Sequence, residues 1–441
     1  MNTPICDFVR RYAAHNPARF HMPGHKGDGP TGWEPMDLTE IPGADSLYEA
    51  HGIIRESEEN AAQLFGSRRT FYSCEGSSLA IRAMILMVRQ HAASAHRTPL
   101  IWAGRNAHKA FLTAAGLLNM PVRWLDCGGF LSGALTCETL KQAFTDAAER
   151  PVAVLVTSPD YLGGMADIRS LAALCHAYGC LLIVDNAHGA YLRFLNESLH
   201  PLDLGADLCC DSAHKTLPVI TGGAYLHVSR NAPDGLEELG SPALAMFGST
   251  SPSYLILQSL DAFNQKCLQD WQASLQALIP RLKALRESLR EDGWRLTDRE
   301  PMKLTLAPKS KGYTGLSLQN LLTAQDIYPE FADPDSLVLM PAPGSDLDRL
   351  YAALKQLPEA DPITELPPPL PHPQAVMSIR EALLSPQELI PADHSLGRIL
   401  GSPTVACPPA VSVVCSGERI NEEALACFRY YGTKTVSVVR A

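Results

Sequence analysis

The chain has 441 residues, of which 46% are hydrophobic and 19% are charged, and its formal net charge is -10. This length predicts two or three domains with sizeable buried cores. The acidic balance, without a face rich in lysine and arginine, argues against a nucleic-acid partner and suits a small cationic molecule better.

The N-terminal residues and the cysteines favour a cytoplasmic protein. The start, Met1 to Asp7, has no basic stretch followed by an apolar one, and no later apolar run reaches the length of a membrane span. The 12 cysteines are scattered through apolar segments without the spacing of metal ligands. We therefore expect free buried thiols, no membrane contact and no metal site.

The first 50 residues are predicted to form an arm, punctuated by proline and glycine, with little core of its own. A helix is predicted over Ile53–Phe65, ended by Gly66. A second helix opens with Gly76-Ser77-Ser78 and runs to about His91. Its free N–H groups suit a phosphate group, although simple capping by the two serines is an almost equal alternative.

Residues 152–185 predict a βαβ unit. A strand begins at Val152, Asp167 caps a helix, and a second strand covers Leu181–Asp185. Strand, helix and strand within about 35 residues imply a parallel sheet, whose ligand crevice lies at the C-terminal strand ends. Ser158, Asp185 and the turn Ser212–Lys215 all fall at that edge.

The remaining segments complete the predicted architecture. Gly223–Val228 is typical of a further strand, and a long helical stretch runs from about Pro252 to Asp292. We predict an α/β protein with an arm over 1–50, a large domain with a mostly parallel sheet over 51–292, and a small α/β domain over 293–357. A proline-rich linker over 358–374 leads to a C-terminal subdomain over 375–441.

Lys215 and Asp185 point to a cofactor. Lys215 follows a short apolar run, and Asp185 closes an almost wholly apolar strand. Pyridoxal phosphate needs such a pair, because a lysine amine forms a Schiff base with its aldehyde and a carboxylate keeps its pyridine nitrogen protonated. A surface lysine and a polar strand end are the alternatives, but a buried carboxylate needs a partner, and a cleft favours the neutral amine of lysine.

Other polar residues are ambiguous by themselves. His188 and Tyr191 follow Asp185, and a histidine after a strand is more often structural than catalytic. His108 is equally ambiguous. Three acids lie in loop-like segments, where acids are usually solvated: Glu330, Asp333 and Glu418.

Several separated motifs, in order, resemble the ornithine/lysine/arginine decarboxylases that have the aspartate-aminotransferase fold. They are Phe20-His21-Met22-Pro23-Gly24-His25-Lys26-Gly27, Asp37-Leu38-Thr39-Glu40, Gly52-Ile53-Ile54, Asp185-Asn186-Ala187-His188-Gly189-Ala190 and Ser212-Ala213-His214-Lys215-Thr216-Leu217-Pro218. The resemblance extends almost from end to end, including Pro408-Pro409 and Gly417-Glu418. The chain looks like a short member without the N-terminal receiver-like domain of the longer enzymes.

The resemblance implies pyridoxal phosphate as cofactor and a role for each matching residue. Lys215 would hold the cofactor, Asp185 would bind the pyridine nitrogen and His108 would stack on the ring. Phosphate binding is implied for Ser77, Ser78, Ser212 and His214, and across a homodimer or higher oligomer for Ser249 and Thr250. The expected cofactor site is completed by Ser158, Ala187 and His188. The residues expected near the substrate are Glu330, Asp333, Glu418 and Tyr191.

The implied activity is decarboxylation of arginine, lysine or ornithine to carbon dioxide and an amine of polyamine metabolism. Four positions depart from the family pattern near the site: Glu75 replaces a usual asparagine, Leu79 a small or hydroxyl residue, Asn186 a common glutamate and Tyr191 a common histidine. They leave the identity of the amino acid open. Two alternatives remain, namely another enzyme of this fold (a transaminase or carbon–carbon lyase) and a non-catalytic descendant.

Overall fold

A computed structural model describes residues 1–125, 135–407 and 411–440. In these ranges the α-helices are α1 (Pro4–Ala14), α2 (Ile53–Phe65), α3 (Gly76–Ser94), α4 (Lys109–Leu117), α5 (Cys137–Asp146), α6 (Ile168–Ala177), α7 (Ala213–Thr216), α8 (Leu236–Ala245), α9 (Tyr254–Lys266), α10 (Gln272–Glu291), α11 (Gly315–Thr323), α12 (Leu347–Lys355), α13 (Ile379–Leu384) and α14 (Glu422–Tyr430). None of them combines the length and apolarity that a membrane span requires.

The strands in the described ranges are β1 (Arg69–Ser73), β2 (Ile101–Gly104), β3 (Val122–Leu125), β4 (Ala153–Thr157), β5 (Leu181–Asp185), β6 (Leu208–Asp211), β7 (Ala224–Val228), β8 (Arg295–Leu296), β9 (Leu304–Ala307), β10 (Phe331–Ala332), β11 (Leu337–Leu339), β12 (Gln387–Pro391), β13 (Thr404–Cys407), β14 (Val411–Cys415) and β15 (Thr435–Val439). The motif Pro408-Pro409 lies outside the described residues.

A seven-stranded sheet carries the strand order β1-β7-β6-β5-β4-β2-β3. Strands β5 and β6 are parallel, with Asp185 opposite Cys210, whereas β7 runs antiparallel to both β6 and β1. The prediction of an α/β fold with a mostly parallel sheet is confirmed.

The helices and strands around the sheet follow the local signals in the sequence. Helix α2 ends at Gly66, whose φ of +73° is a left-handed conformation that glycine adopts without steric cost. The side chain of Asp167 caps α6 by accepting a hydrogen bond of 3.1 Å from the Ser170 N–H group. Strand β4, helix α6 and strand β5 therefore form the predicted βαβ unit.

The N-terminal arm contains a helix that was not predicted. Helix α1 buries Ile5 and Val9, which are one helical turn apart, together with Cys6. The Cys6 N–H group donates a hydrogen bond of 2.9 Å to Asp261 Oδ2 on α9. The start of the arm is thus anchored by its own apolar face, which the proline and glycine residues further along the arm obscured.

The chain divides into two compact units, and the first comprises residues 1–101, 144–155 and 167–272. The second comprises residues 102–143, 156–166 and 273–441. The second unit contains a four-stranded sheet of order β10-β11-β9-β8 and two strand pairs, β12-β15 and β13-β14. Residues 358–374 contain no helix or strand. The domain boundaries drawn from the sequence stay predictions.

The cysteine side chains that the structure describes are all free thiols, and most of them are buried. This confirms the expectation drawn from their scattered positions in apolar segments. In such places a thiol behaves as a small apolar side chain.

Gly240 of α8 is expected to be intolerant of any side chain. A Cβ atom at this position would lie 2.2 Å from Cε2 of Phe71, which is itself buried on β1. Replacing glycine by alanine in an open helix gains about 1 kcal/mol, but overpacking a core costs about 1–3 kcal/mol. We expect G240A to lower the free energy of unfolding by up to about 2 kcal/mol in urea titrations.

The matched control is G24A, because a Cβ built at exposed Gly24 would have no atom of the described residues within 4 Å. G24A should leave the free energy of unfolding within about 0.5 kcal/mol of the original protein. Equal stability of G240A and G24A would contradict the close packing of α8 on β1.

Candidate active site

Two strand ends deliver the central polar residues of the first unit. Asp185 is the last residue of β5, and Ser212 follows directly after β6 and leads into α7, which carries Lys215. Because β5 and β6 are parallel, both ends lie at the same edge of the sheet.

Lys215 is half-buried, and its Nζ atom lies 3.1 Å from Nε2 of His188. His188 is buried and follows Asp185 by three residues. An amine and an imidazole at this distance can share and exchange a proton near neutral pH. The pair therefore has the geometry of a proton donor and acceptor.

The carboxylate of Asp185 is buried, with only 3% of the residue exposed. Its Oδ1 atom accepts a hydrogen bond of 3.2 Å from the Ala187 N–H group and lies 3.8 Å from Cys210 Sγ. Burial, and next the nearby charge of Asp185, raise the pKa of the Cys210 thiol well above its usual value, so the thiol is a neutral donor. A protonated ring nitrogen is a suitable further partner for this carboxylate.

The start of α3 brings together an uncapped helix N-terminus and two hydroxyl groups. No side chain caps this helix, and Gly76 at its first position has a φ of +69°. Ser212 Oγ donates a hydrogen bond of 2.8 Å to Ser77 Oγ, which brings both hydroxyl groups to the helix start. A Cβ built on Gly76 would lie 3.8 Å from Cε1 of His214, whose Nδ1 donates to the Gly223 carbonyl oxygen over 3.0 Å. Hydroxyl groups at a helix N-terminus fit a phosphate group.

The segment that contains Ser249 and Thr250 meets the same helix start. Both residues are exposed, and the Ser249 N–H group donates a hydrogen bond of 2.7 Å to Glu75 Oε1. Glu75 directly precedes α3. Its carboxylate accepts this hydrogen bond from Ser249 and does not cap the helix.

Two further predicted residues of the first unit are packed. Tyr191 is fully buried in a 3-10 helix over Ala190–Phe194, and Ala187 is also buried. The roles predicted for both residues stay predictions.

The second unit carries the remaining predicted residues. His108 is exposed at the start of α4, where its Nδ1 accepts a hydrogen bond of 3.1 Å from the Ala110 N–H group. Ser158 is buried, and its Oγ atom accepts a hydrogen bond of 3.1 Å from the Ala166 N–H group.

The three acids predicted near the substrate have different surroundings. Glu330 is exposed and accepts a hydrogen bond of 3.0 Å from the hydroxyl group of Tyr161. Asp333 is buried, and its Oδ1 atom accepts hydrogen bonds of 2.6 Å from the N–H groups of Asp335 and Ser336. Its Oδ2 atom has no hydrogen-bond partner in the described part of the chain.

Glu418 forms a buried ion pair with Arg105. Nη1 of Arg105 lies 2.7 Å from Oε1 of Glu418, and Nη2 lies 3.0 Å from Oε2. Oε2 also accepts a hydrogen bond of 2.7 Å from the Cys415 N–H group. Both carboxylate oxygens are therefore engaged in a bidentate arrangement.

Arg105 and Asp211 were not among the residues predicted from the sequence. The partner of Arg105 is 313 residues away, so no local pattern indicates the pair. Asp211 closes the apolar strand β6 in the way that Asp185 closes β5, so the same signal was available for it.

Enzymes that carry pyridoxal phosphate on a lysine also need a carboxylate for its ring nitrogen and an anion site for its phosphate group. The first unit provides residues that fit all three needs, so fold and site define this class of enzyme.

Comparison with known proteins identifies the family. The family model described as "Orn/Lys/Arg decarboxylase, major domain" matches residues 3–305. The chain therefore belongs to the Orn/Lys/Arg decarboxylase family, whose members are pyridoxal-phosphate-dependent amino-acid decarboxylases. The resemblance seen in the sequence motifs is confirmed.

Individual relatives agree with this assignment. The chain is 29% identical over 464 residues to an arginine decarboxylase of Bacillus subtilis (strain 168), covering 96% of this chain and 92% of that protein. The constitutive lysine decarboxylase of E. coli matches with a TM-score of 0.78 at 16% identity, covering 100% of this chain and 82% of that structure. An alanine–glyoxylate aminotransferase from Nostoc sp. matches with a TM-score of 0.56 at 18% identity, covering 69% and 85%. At these identities the two structures show the fold alone.

Asp333 is expected to make stability depend on pH. Burial raises the pKa of Asp333 to about 6, above the ordinary value of 3.8, against the two N–H groups that lower it. At pH 8 the ionised form therefore lowers the free energy of unfolding. A shift of two pKa units corresponds to a loss of up to about 3 kcal/mol. We expect D333N, which keeps the Oδ1 acceptor, to stabilise the protein in urea unfolding at pH 8.

The gain from D333N should shrink as the pH falls through 6 and vanish below about pH 4, where aspartate is protonated in both states. The control is D361N, because Asp361 is exposed. A gain from D333N that is the same at pH 8 and pH 5 would contradict the raised pKa.

Proposed function

We propose that the protein decarboxylates a basic L-amino acid, which is arginine, lysine or ornithine, to the corresponding amine and carbon dioxide. The observation that carries the proposal is the Lys215–His188 pair at the same sheet edge as buried Asp185, in a chain of this family. Arginine is the first candidate, because the B. subtilis relative named arginine decarboxylase aligns with 96% of this chain.

The cofactor and the protein have separate tasks in this reaction. When bound, pyridoxal phosphate supplies the electron sink for the bond between the α-carbon and the carboxylate. Asp185 would keep the ring nitrogen protonated, and Lys215 would hold the cofactor. Lys215 Nζ or His188 Nε2 would deliver the proton that replaces the carboxylate on the α-carbon.

The phosphate group would be held at the start of α3. Ser77 and Ser212 supply adjacent hydroxyl groups there, and Ser78 and His214 complete the site. The family resemblance adds His108 stacked on the ring, and Ser249 and Thr250 reaching the phosphate of a neighbouring subunit. We therefore propose a homodimer. We also propose a cytoplasmic location, which the free thiols support.

Glu330 is our assignment for the acid that meets the distal cationic group of the substrate. Arg105 and the Cys415 N–H group already engage the oxygens of Glu418, and Asp333 is buried within its own turn. Glu330 is exposed and accepts one neutral hydrogen bond from Tyr161, so its carboxylate can accept a cation.

Replacement of Lys215 tests the reaction. We expect the protein loaded with pyridoxal phosphate to release carbon dioxide from at least one of L-arginine, L-lysine and L-ornithine. K215A should release none, because no amine is left to hold the cofactor or to move the proton. Borohydride reduction followed by mass spectrometry should show the cofactor fixed to the original protein and absent from K215A.

The control variant is K283A, because Lys283 is exposed on α10. It should behave as the original protein in both measurements. No carbon dioxide from any of the three amino acids would refute decarboxylation, and accumulation of pyridoxamine phosphate would indicate transamination instead.

Replacement of Glu330 tests the substrate assignment. E330Q removes the charge and keeps the shape, so we expect KM for the preferred amino acid to rise roughly tenfold or more, as for loss of a charged hydrogen bond. The value of kcat should change little, because the contact is far from the reacting bond in the substrate. E359Q at exposed Glu359 is the control, and an unchanged KM in E330Q would redirect the assignment to Asp333 or Glu418.

A further inference from the structure

A buried hydrogen bond joins the ends of β5 and β6 on the face opposite Asp185. Asn186 Nδ2 donates to Asp211 Oδ1 over 2.6 Å, and both residues are fully buried. Asn186 directly follows Asp185, and Asp211 directly precedes Ser212. The bond therefore links the two turns that carry the proposed ring-nitrogen and phosphate contacts.

The second oxygen of Asp211 accepts two imidazole donors. Oδ2 lies 3.0 Å from Nε2 of His200 and 3.2 Å from Nε2 of His227, and both histidines are fully buried. His227 Nδ1 lies 2.8 Å from Oγ1 of Thr70 on β1. We call Asn186, Asp211, His200 and His227 the Asp211 network.

The charge of Asp211 fixes the orientation of the Asn186 amide. Burial alone would raise the pKa of Asp211, but the electrostatic attraction of His200 and the hydrogen bonds from both imidazoles outweigh burial and hold this pKa below its usual range. An ionised carboxylate only accepts hydrogen bonds, so the NH2 group of Asn186 must face it.

The orientation of the amide leaves its oxygen unsatisfied. Asn186 Oδ1 is buried and has no hydrogen-bond partner among the described residues. A buried oxygen without a hydrogen bond destabilises the folded protein. The contact with Asp211 is therefore the interaction that holds the amide in place.

A metal ion is a weaker explanation of the same cluster. Ligand atoms of His200, Cys209 and Asp211 lie within 4.8 Å of one another. However, the Leu202 N–H group donates to His200 Nδ1 over 3.4 Å, which favours a proton on the Nε2 atom that faces Asp211. Burial also raises the pKa of the Cys209 thiol well above its usual value. A metal would need a lone pair and a thiolate at these two places.

We propose that Asn186 and Asp211 are positioning residues of the cofactor site, whose hydrogen bond fixes the Asp185 turn relative to the Ser212–Lys215 turn. This inference rests on the proposed function, because it assumes that pyridoxal phosphate contacts both turns. The cofactor is a rigid ring with its nitrogen and its phosphate group on different sides, so a small displacement of either turn weakens both contacts.

The first test compares two buried asparagines. N186A removes the bond between the turns. N264A is matched, because Asn264 is fully buried in the same unit, donates to the Tyr72 hydroxyl group over 2.8 Å and also has an Oδ1 without a hydrogen-bond partner in the described ranges. We expect similar losses of thermal stability in both variants. Only N186A should weaken binding of pyridoxal phosphate, by roughly ten- to hundredfold in titrations of the apoprotein.

A spectroscopic measurement separates positioning from general destabilisation. The pH at which the absorbance of the bound cofactor changes depends on the contacts of its ring nitrogen and of Lys215. We expect this pH to move in N186A and to stay unchanged in N264A. The idea is wrong if N186A binds the cofactor as tightly as the original protein, or if N264A loses as much affinity.

The second test exchanges the acid and the amide. N186D alone sets two carboxylates against each other, so affinity for pyridoxal phosphate should fall strongly. In N186D/D211N the amide is at position 211 and the carboxylate at position 186. The amide NH2 group donates to that carboxylate, while the amide oxygen accepts from both imidazoles. Every hydrogen bond of the Asp211 network is then kept, and we expect affinity within about threefold of the original.

The exchange also remains informative if N186A does not fold. No recovery of affinity from N186D to N186D/D211N would overturn the proposal, as would stoichiometric zinc in the purified original protein. If the original protein itself bound no pyridoxal phosphate, the proposed function would fail. The inference alone fails if the original protein binds the cofactor and the variants bind it equally well.

Discussion

The parallel pairing of β5 with β6 is the constraint on which the site depends. The register sets Asp185 opposite Cys210, and their side chains meet on one face at 3.8 Å. Because successive side chains alternate between faces, Asn186 and Asp211 meet on the other face. A shift of the strand register by one residue would turn side chains to the opposite face of the sheet. The proposed cofactor carboxylate and the Asp211 network would then exchange faces. The register thus fixes both the chemistry on one side of the sheet edge and its support on the other.

The residues that support the proposed site from this second face are polar, although apolar residues in their place would cost less free energy of folding. A buried carboxylate is seldom stabilising overall, and well-packed apolar residues can replace such groups without loss of stability. Here the carboxylate accepts three hydrogen bonds, and His227 also packs 4.6 Å from the ring of Phe65. Hydrogen bonds are directional and apolar contacts are not. A polar network therefore holds two turns at one distance more strictly than close packing does.

Local patterns predicted the elements that depend on local forces. Helices α2 and α3 and the βαβ unit followed from apolar periodicity, a C-terminal glycine and a capping aspartate. Helix α1 was missed because its apolar face is short and lies beside a proline-rich and glycine-rich arm. Its contact with Asp261, 255 residues away, has no local signature.

A candidate site could be predicted where one residue type carries the expected chemistry. A lysine and an aspartate at strand ends were recognisable, whereas roles that depend on distant partners were not. Glu418 and Glu330 are both acids in loop-like segments, yet one is paired with Arg105 in the interior and the other is exposed. Only tertiary contacts separate the two. The Asp211 network was hidden for the same reason, since its members come from two strands, the turn after β5 and a loop.

The departures from the family pattern are compatible with the proposed site, because neighbouring residues accommodate them. Asn186 lacks the carboxylate that is common at its position, but Asp211 supplies one 2.6 Å away. Glu75 introduces a negative charge before α3, but the Ser249 N–H group engages it and the helix start stays uncapped for a phosphate group. Leu79 and Tyr191 are both fully buried and well packed. Each of the two polar departures, Asn186 and Glu75, therefore has a hydrogen-bond partner beside the proposed cofactor site.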